Sequence, residues 1–293
     1  MENQKDWQIK SLTKYKPLSR YIGMTGKIPV VAGYTYVGVE VELENITKTE
    51  YSAISGSTWK QHEDGSLKVK GREFVTVPIR FKYLEVELNR LFSGLKNPHP
   101  SSRCSIHVHV NVREMTAKEL ASFILLYSIY ERIFYRLSGN RWDSNFCVPL
   151  YAAKEYPSRM LKFLIENRKP SCMEDVPQWY KYYGLNLCPI FGFDGSSKQG
   201  TVEFRHHKGS IDTKEIINWI NLITSLKQAS KRIDLATILG MLLEMNSDSS
   251  YISLTQSIFG KYADKILNLP TFKDDIEGCI TSTKQIVFEK GEK

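Results

Sequence analysis

Hydrophobic and polar positions alternate in three short stretches of the chain. They are V-G-V-E-V-E-L-E (Val37 to Glu44), S-I-H-V-H-V (Ser105 to Val110) and G-T-V-E-F-R-H-H (Gly200 to His207). Residues i and i+2 of a β-strand point to the same side. Glu40 and Glu42 therefore share one side, as do His107 with His109 and Glu203 with Arg205. The residues between them, Val41, Val108 and Phe204, suit a buried opposite side. A sheet side lined with carboxylates and imidazoles is costly unless cations neutralise it.

The wider pattern predicts strands over residues 34–46, 73–77 and 104–112, the second stopped by Pro78. It also predicts a hairpin of 182–191 with 201–207 across the turn D-G-S-S-K-Q-G at 194–200. Helical spacing covers 79–94, with Gly94 as C-cap. Thr116 opens a long amphipathic helix to 137, and Glu119 three residues on completes a capping box. Further helices are expected at 157–167, from Asp212 through the 220s, and on to about 267. Beyond that the pattern is ambiguous. Residues 51–71, holding the turn E-D-G-S, and 138–150 read as polar loops suited to move as lids. Residues 1–33 read as an N-terminal extension, 34–230 as a core, and 231–293 as a C-terminal helical segment packed on it. Hairpin strands mixed with long helices argue an α+β fold, an antiparallel sheet covered by helices on one face.

Composition narrows the class. The 293 residues are 42% hydrophobic and 25% charged, ordinary for a globular chain with a sizeable core. The apolar runs at 123–130 and 235–243 are too short to span a bilayer. The N-terminal residues lack the basic-then-apolar order of a signal peptide. The expectation is a soluble, cytoplasmic protein. Five scattered cysteines with no C-x-x-C pair suggest neither a disulfide framework nor a cysteine zinc site. The formal charge of +8 favours anionic partners such as a nucleotide. Basic residues are spread along the chain, which disfavours nucleic acid and also fits a merely solvated surface.

The candidate metal donors are Glu40, Glu42, Asp64, Glu73 and Glu203, with His107 and, less securely, His109. Oxygen outnumbers nitrogen, which suits Mg²⁺ or Mn²⁺ rather than zinc. Five carboxylates exceed what one ion needs, so two or three ions are expected, as a nucleoside triphosphate demands. Each element has a bland reading. E-x-E-x-E is often a solvated strand face, E-F-R a cross-strand ion pair, and Asp64 a turn residue. H-x-H followed by Glu114 resembles half a cupin signature, but the long helix that follows argues against an all-β barrel. A metal-dependent hydrolase, or a non-catalytic basic binding protein, also remains open. There is no P-loop and no G-x-G-x-x-G, so bound ATP would be held by metals and arginines.

The order of these motifs, with E-F-V-T-x-P at 73–78, S-G-N-R at 138–141, Y-Y-G-L-N-L at 182–187 and I-I-N-W-I at 216–220, resembles the amidoligase family, relatives of glutamine synthetase and glutamate–cysteine ligase. The resemblance covers roughly residues 34 to 230. It implies an ATP-dependent, ADP-forming carboxylate–amine ligase on a curved antiparallel sheet like the glutamine synthetase catalytic domain, with Mg²⁺ as the ion. It implies that Glu42, His107 and Glu203 hold one ion near the reacting carboxylate, and that Glu40, Asp64 and Glu73 hold ions on the triphosphate. Arg205 would meet the transferring phosphoryl group, and Arg141 a phosphate or substrate carboxylate. Asn186 is a motif residue beside the nucleotide. The partners implied are ATP, a carboxylate and an amine, from amino acid, peptide or protein. His109 departs from the pattern, as relatives often carry another polar residue there. Glu44, on the same strand face, is expected on the rim.

Overall fold

A computed structural model describes residues 8–9, 36–54, 56, 58–68, 70–166, 170, 175–193 and 199–288. The N-terminal extension apart from Gln8 and Ile9, Tyr34, Cys172 and turn residues 194–198 lie outside these.

Among the described residues seven strands form one sheet: β1 (Tyr36–Leu43), β2 (Trp59–His62), β3 (Arg72–Thr76), β4 (Ile79–Arg80), β5 (Ser105–Asn111), β6 (Leu185–Asn186) and β7 (Thr201–Lys208). Their order is β2-β3-β1-β5-β7-β6, with β4 beside β1, and every pairing between named strands is antiparallel. The helices are α1 (Lys48–Ile54), α2 (Phe81–Ser93), α3 (Ala117–Leu137), α4 (Glu155–Ile165), α5 (Cys188–Phe191), α6 (Thr213–Arg232), α7 (Leu235–Glu244), α8 (Asp248–Phe259), α9 (Ala263–Leu267) and α10 (Phe272–Phe288). The fold is α+β with an open antiparallel sheet. Among the described residues no helix is long and apolar enough to cross a membrane.

Alternation does its work in β1, β5 and β7. Val37, Val39, Val41, Ile106, Val108, Val110, Val202 and Phe204 are fully buried in the hydrophobic core. Helix α3 packs behind them, with Phe123 and Tyr127 edge-on to Phe204 at 5.9 Å. Its start is fixed as expected: Thr116 accepts from the Glu119 amide while Glu119 caps the Thr116 amide. Asp212 caps α6 by accepting the Lys214 and Glu215 amides.

Several expectations change. Helix α3 is not amphipathic in the usual sense, because most of its circumference is buried. The covering comes from α10, in the stretch whose pattern is ambiguous, together with α4 and α6. Ile276 and Ile280 of α10 and Phe259 of α8 belong to the same hydrophobic cluster as the sheet. The first strand ends at Leu43, since Asn45 turns the chain with a left-handed backbone, φ 65°. Residues 51–71 are not simply a loop: they carry the end of α1 and all of β2. The expected hairpin shrinks to two residues on its first arm, Leu185 and Asn186. Pro189, which has no amide hydrogen to give a ladder, sits in the first turn of α5 instead.

Candidate metal centre

The strand registers decide which polar side chains meet. Glu40 lies opposite His107, and Glu42 opposite Glu73. His109 lies opposite Glu203, which on its other side faces Asn186. Asp64 reaches the same patch from the turn after β2. Its carboxylate accepts the Ser66 amide at 2.6 Å, the turn geometry that D-G-S favours.

Three groups of donor atoms lie within 4.8 Å of one another: Glu40, Glu73 and His107; Glu40, His109 and Glu203; and Glu42, Asp64 and Glu73. These groupings cut across the division that the resemblance implies. Glu42 falls with Asp64 and Glu73 rather than with His107 and Glu203, and His109 is brought in as a donor. All six expected metal residues, Glu40, Glu42, Asp64, Glu73, His107 and Glu203, share the patch. Glu42 and Glu203 are each only 4% exposed.

Hydrogen bonds hold the donors in place. His107 Nδ1 is 3.0 Å from Glu40 Oε2 and 3.4 Å from Glu203 Oε1. His109 Nε2 is 3.0 Å from Glu40 Oε1. Ser105 gives both its amide and its hydroxyl to Glu42 Oε2, at 2.7 and 2.6 Å, and its hydroxyl also lies 2.9 Å from His107 Nε2. Thr201 Oγ1 lies 3.1 Å from His109 Nδ1. Ser105 and Thr201 are absent from the candidates drawn from sequence, yet the signal was there. Each stands two residues before a candidate, in S-I-H and T-V-E, and so on the same strand face. Glu44 is not a rim residue. It is buried and accepts the Lys68 amide at 2.8 Å, which fixes the turn carrying Asp64.

The electrostatics follow from that crowding. Burial and the neighbouring Glu40, Glu42 and Asp64 push the Glu73 carboxyl up to about 8, so it keeps a proton at neutral pH. Burial works to raise Glu40 too, but His109 and His107 overbalance it and hold Glu40 well below the ordinary range. Burial works to lower His109, while Glu40 and Glu203 lift it above its ordinary value. Crowded carboxylate oxygens with few imidazoles suit a hard divalent cation such as Mg²⁺ or Mn²⁺.

The other candidates border the patch. Arg205 pairs with Glu203 at 2.5 Å, donates from Nε to the Phe146 carbonyl at 3.2 Å, and lies 6.0 Å from the Tyr182 ring centre. Asn186 donates to Glu203 Oε2 at 2.7 Å and accepts the Cys188 amide at 2.9 Å, so it orients a carboxylate. Arg141 is not brought into the acidic group. Its Nη1 donates to the carbonyls of Arg205 and His207, at 3.2 and 3.4 Å, tying the loop after α3 to β7.

Strand β7 carries an irregularity here. Val108 pairs with Phe204 but Ile106 pairs with His207, so Arg205 and His206 together oppose His107. The extra residue is a bulge, and it lets His207 turn inward although strict alternation puts it beside Arg205. His206 and His207 both pack near Trp219 of α6, at 5.7 and 5.8 Å. Gly184 permits that packing, because a Cβ there would fall 2.6 Å from His206 Nε2 and 2.7 Å from the Tyr135 hydroxyl.

The sequence model of a family described as "putative amidoligase enzyme" matches residues 34–227, well over half of the chain. Among curated proteins none matches significantly.

Proposed function

The chain belongs to the putative amidoligase enzyme family, and from that premise we propose that it is an ATP-dependent, ADP-forming carboxylate–amine ligase working through an acyl phosphate. The observation that carries this reading is one sheet face where five carboxylates and two histidines converge, crowding the Glu73 carboxyl. We take the sheet as the glutamine synthetase-like catalytic surface and residues 34–230 as the ligase core, with the later helices as its brace.

Magnesium or manganese ions held by Glu40, Glu42, Asp64, Glu73, His107, His109 and Glu203 would neutralise the oxygens of the triphosphate. The remaining work falls to the chain. A substrate carboxylate oxygen attacks the γ-phosphorus and ADP leaves. Arg205, aimed along the face by Glu203 and the Phe146 carbonyl, stabilises charge on the transferred group. Arg141, anchored on β7, stands ready for a phosphate or carboxylate oxygen. The amine then attacks the acyl carbon, loses a proton and expels phosphate. Asn186, Ser105 and Thr201 hold Glu203, Glu42 and His109 in position throughout.

The test is release of ADP that requires both Mg²⁺ and an acceptor amine. Glu203→Gln and Glu42→Gln are each expected to lower that rate at least about 100-fold, roughly 2.7 kcal/mol of transition-state stabilisation. Full activity in either variant would remove the site. Turnover without nucleotide consumption would favour a metal-dependent hydrolase.

A further inference from the structure

A second pocket lies away from the acidic face, on the helical side of the molecule. It encloses 390 Å³, and its lining comes from α3, the loop after it, Tyr151 and α10, with nothing from the sheet. That volume suits a single small molecule.

Its chemistry is specific. Arg132 and Arg136 stand four residues apart on one side of α3. Arg136 is satisfied: it pairs with Asp275 at 3.2 Å, and Asp275 also accepts from Thr271 at 2.6 Å. Arg132 is not. Its guanidinium has the Trp142 ring 5.8 Å away and makes no ion pair among the described residues, acting on the buried Glu131 carboxyl only through space. Its opposite side rests on Gly278 of α10, where a Cβ would fall 2.5 Å from Nη1. The guanidinium is thus held in place without an ion pair. Asp143, also lining the pocket, is exposed and has no ion pair or hydrogen bond among the described residues. The same pocket has an apolar wall, the rings of Trp142 and Tyr151, 5.4 Å apart and tilted by 34°.

One unpaired cation, one unpaired anion and a flat aromatic wall complement a zwitterion with an apolar side chain. We propose that this pocket binds a free α-amino acid bearing an aromatic side chain. Its carboxylate meets Arg132, its ammonium meets Asp143, and its side chain lies against Trp142 and Tyr151. The wall continues inward. Trp142 packs on Tyr135 at 4.8 Å, and Tyr135 on His206 at 4.6 Å, next in chain to Arg205. The pocket is therefore a site separate from the acidic face, linked through Tyr135 to the strand that carries Arg205. Its existence does not depend on the ligase reading.

Calorimetric titration of the intact chain with L-phenylalanine tests it, beside 3-phenylpropionate, which lacks the amine, and phenethylamine, which lacks the carboxylate. Phenylalanine should bind at one site, with each analogue at least tenfold weaker. Arg132→Met should abolish the binding and Asp143→Asn should weaken it about tenfold. Asp143 is exposed, so its replacement leaves folding intact. Glu203→Gln should leave the binding unchanged, which separates this pocket from the acidic face. Absence of phenylalanine binding at millimolar concentration overturns the proposal. So does 3-phenylpropionate binding as tightly as phenylalanine, or Asp143→Asn binding like the parent.

Discussion

The two faces of the sheet use the same residue types to opposite ends. On the front, His109 stands among carboxylates and is lifted above its ordinary pKa by Glu40 and Glu203 against the effect of burial. On the back, His206 is sealed among Tyr127, Tyr135, Phe204 and Trp219. Burial, with Arg141 and His207 nearby, drives it down to about 3, so it is neutral. The acids differ as well. Glu131, behind the sheet, rises to about 7 through burial, but its Oε1 accepts both the Leu150 amide at 2.8 Å and the Tyr127 hydroxyl at 2.9 Å. Glu73, in front, rises because other carboxylates crowd it as well as because it is buried. The back is a sealed aromatic core, in which His206 Nδ1 and Trp219 Nε1 find no hydrogen-bond partner among the described residues. The front is a set of converging carboxylate and imidazole donors, and that convergence is what marks it as a ligand site.

The comparison can be broken from the back first. Phe204→Ala removes a ring that meets Phe123, Tyr127, Phe134 and Trp219, and should cost about 3–5 kcal/mol in chemical denaturation. A loss comparable to that of a front-face carboxylate variant would show that the faces are not distinct in purpose. Tyr127→Phe is next. The lost hydroxyl bridges Glu131 and His206 Nε2, the latter at 2.7 Å, and its removal should cost about 1–3 kcal/mol. Mn²⁺ affinity should be unchanged in it. A parallel fall in affinity would mean that the back network shapes the front.

The smallest effect is on pH dependence. Glu73 and His109 are both raised in the folded state, so the stability they contribute is full at low pH and is lost as pH rises through their folded pKa values. Glu131 completes its loss near pH 7, and His206, depressed, matters only in acid. Between pH 7 and 9 the metal-free protein should therefore lose a few degrees of thermal stability, and saturating Mg²⁺ should erase that loss. A loss that Mg²⁺ leaves untouched would place its origin elsewhere than the acidic face.

Much of this was legible in order and alternation. The two-residue spacing in β1, β5 and β7 placed Glu40 and Glu42, His107 and His109, and Glu203 and Arg205 correctly on shared sides, because burial of Val41, Val108 and Phe204 enforces the register. Thr116 and Asp212 announced their helices because capping is local. What could not be read depends on partners distant in the chain. That Glu42 meets Glu73 follows from strand pairing, which no local pattern specifies. The bulge at Arg205 and His206 breaks alternation and turns His207 inward. Helix α3 looked amphipathic because its cover, α10, lies more than a hundred residues further on. Arg141 was read for its charge, while the fold uses one of its nitrogens to fasten a loop.

Equilibrium titration with Mn²⁺ tests the central claim most directly, with and without a non-hydrolysable ATP analogue, on the parent chain and on Glu42→Gln. The parent should bind more than one ion, more tightly when the analogue is present, and Glu42→Gln should lose at least one ion while keeping its fold. Binding that is equal in the two proteins, or absent from both, would contradict the assignment of the front face as a multi-ion nucleotide site.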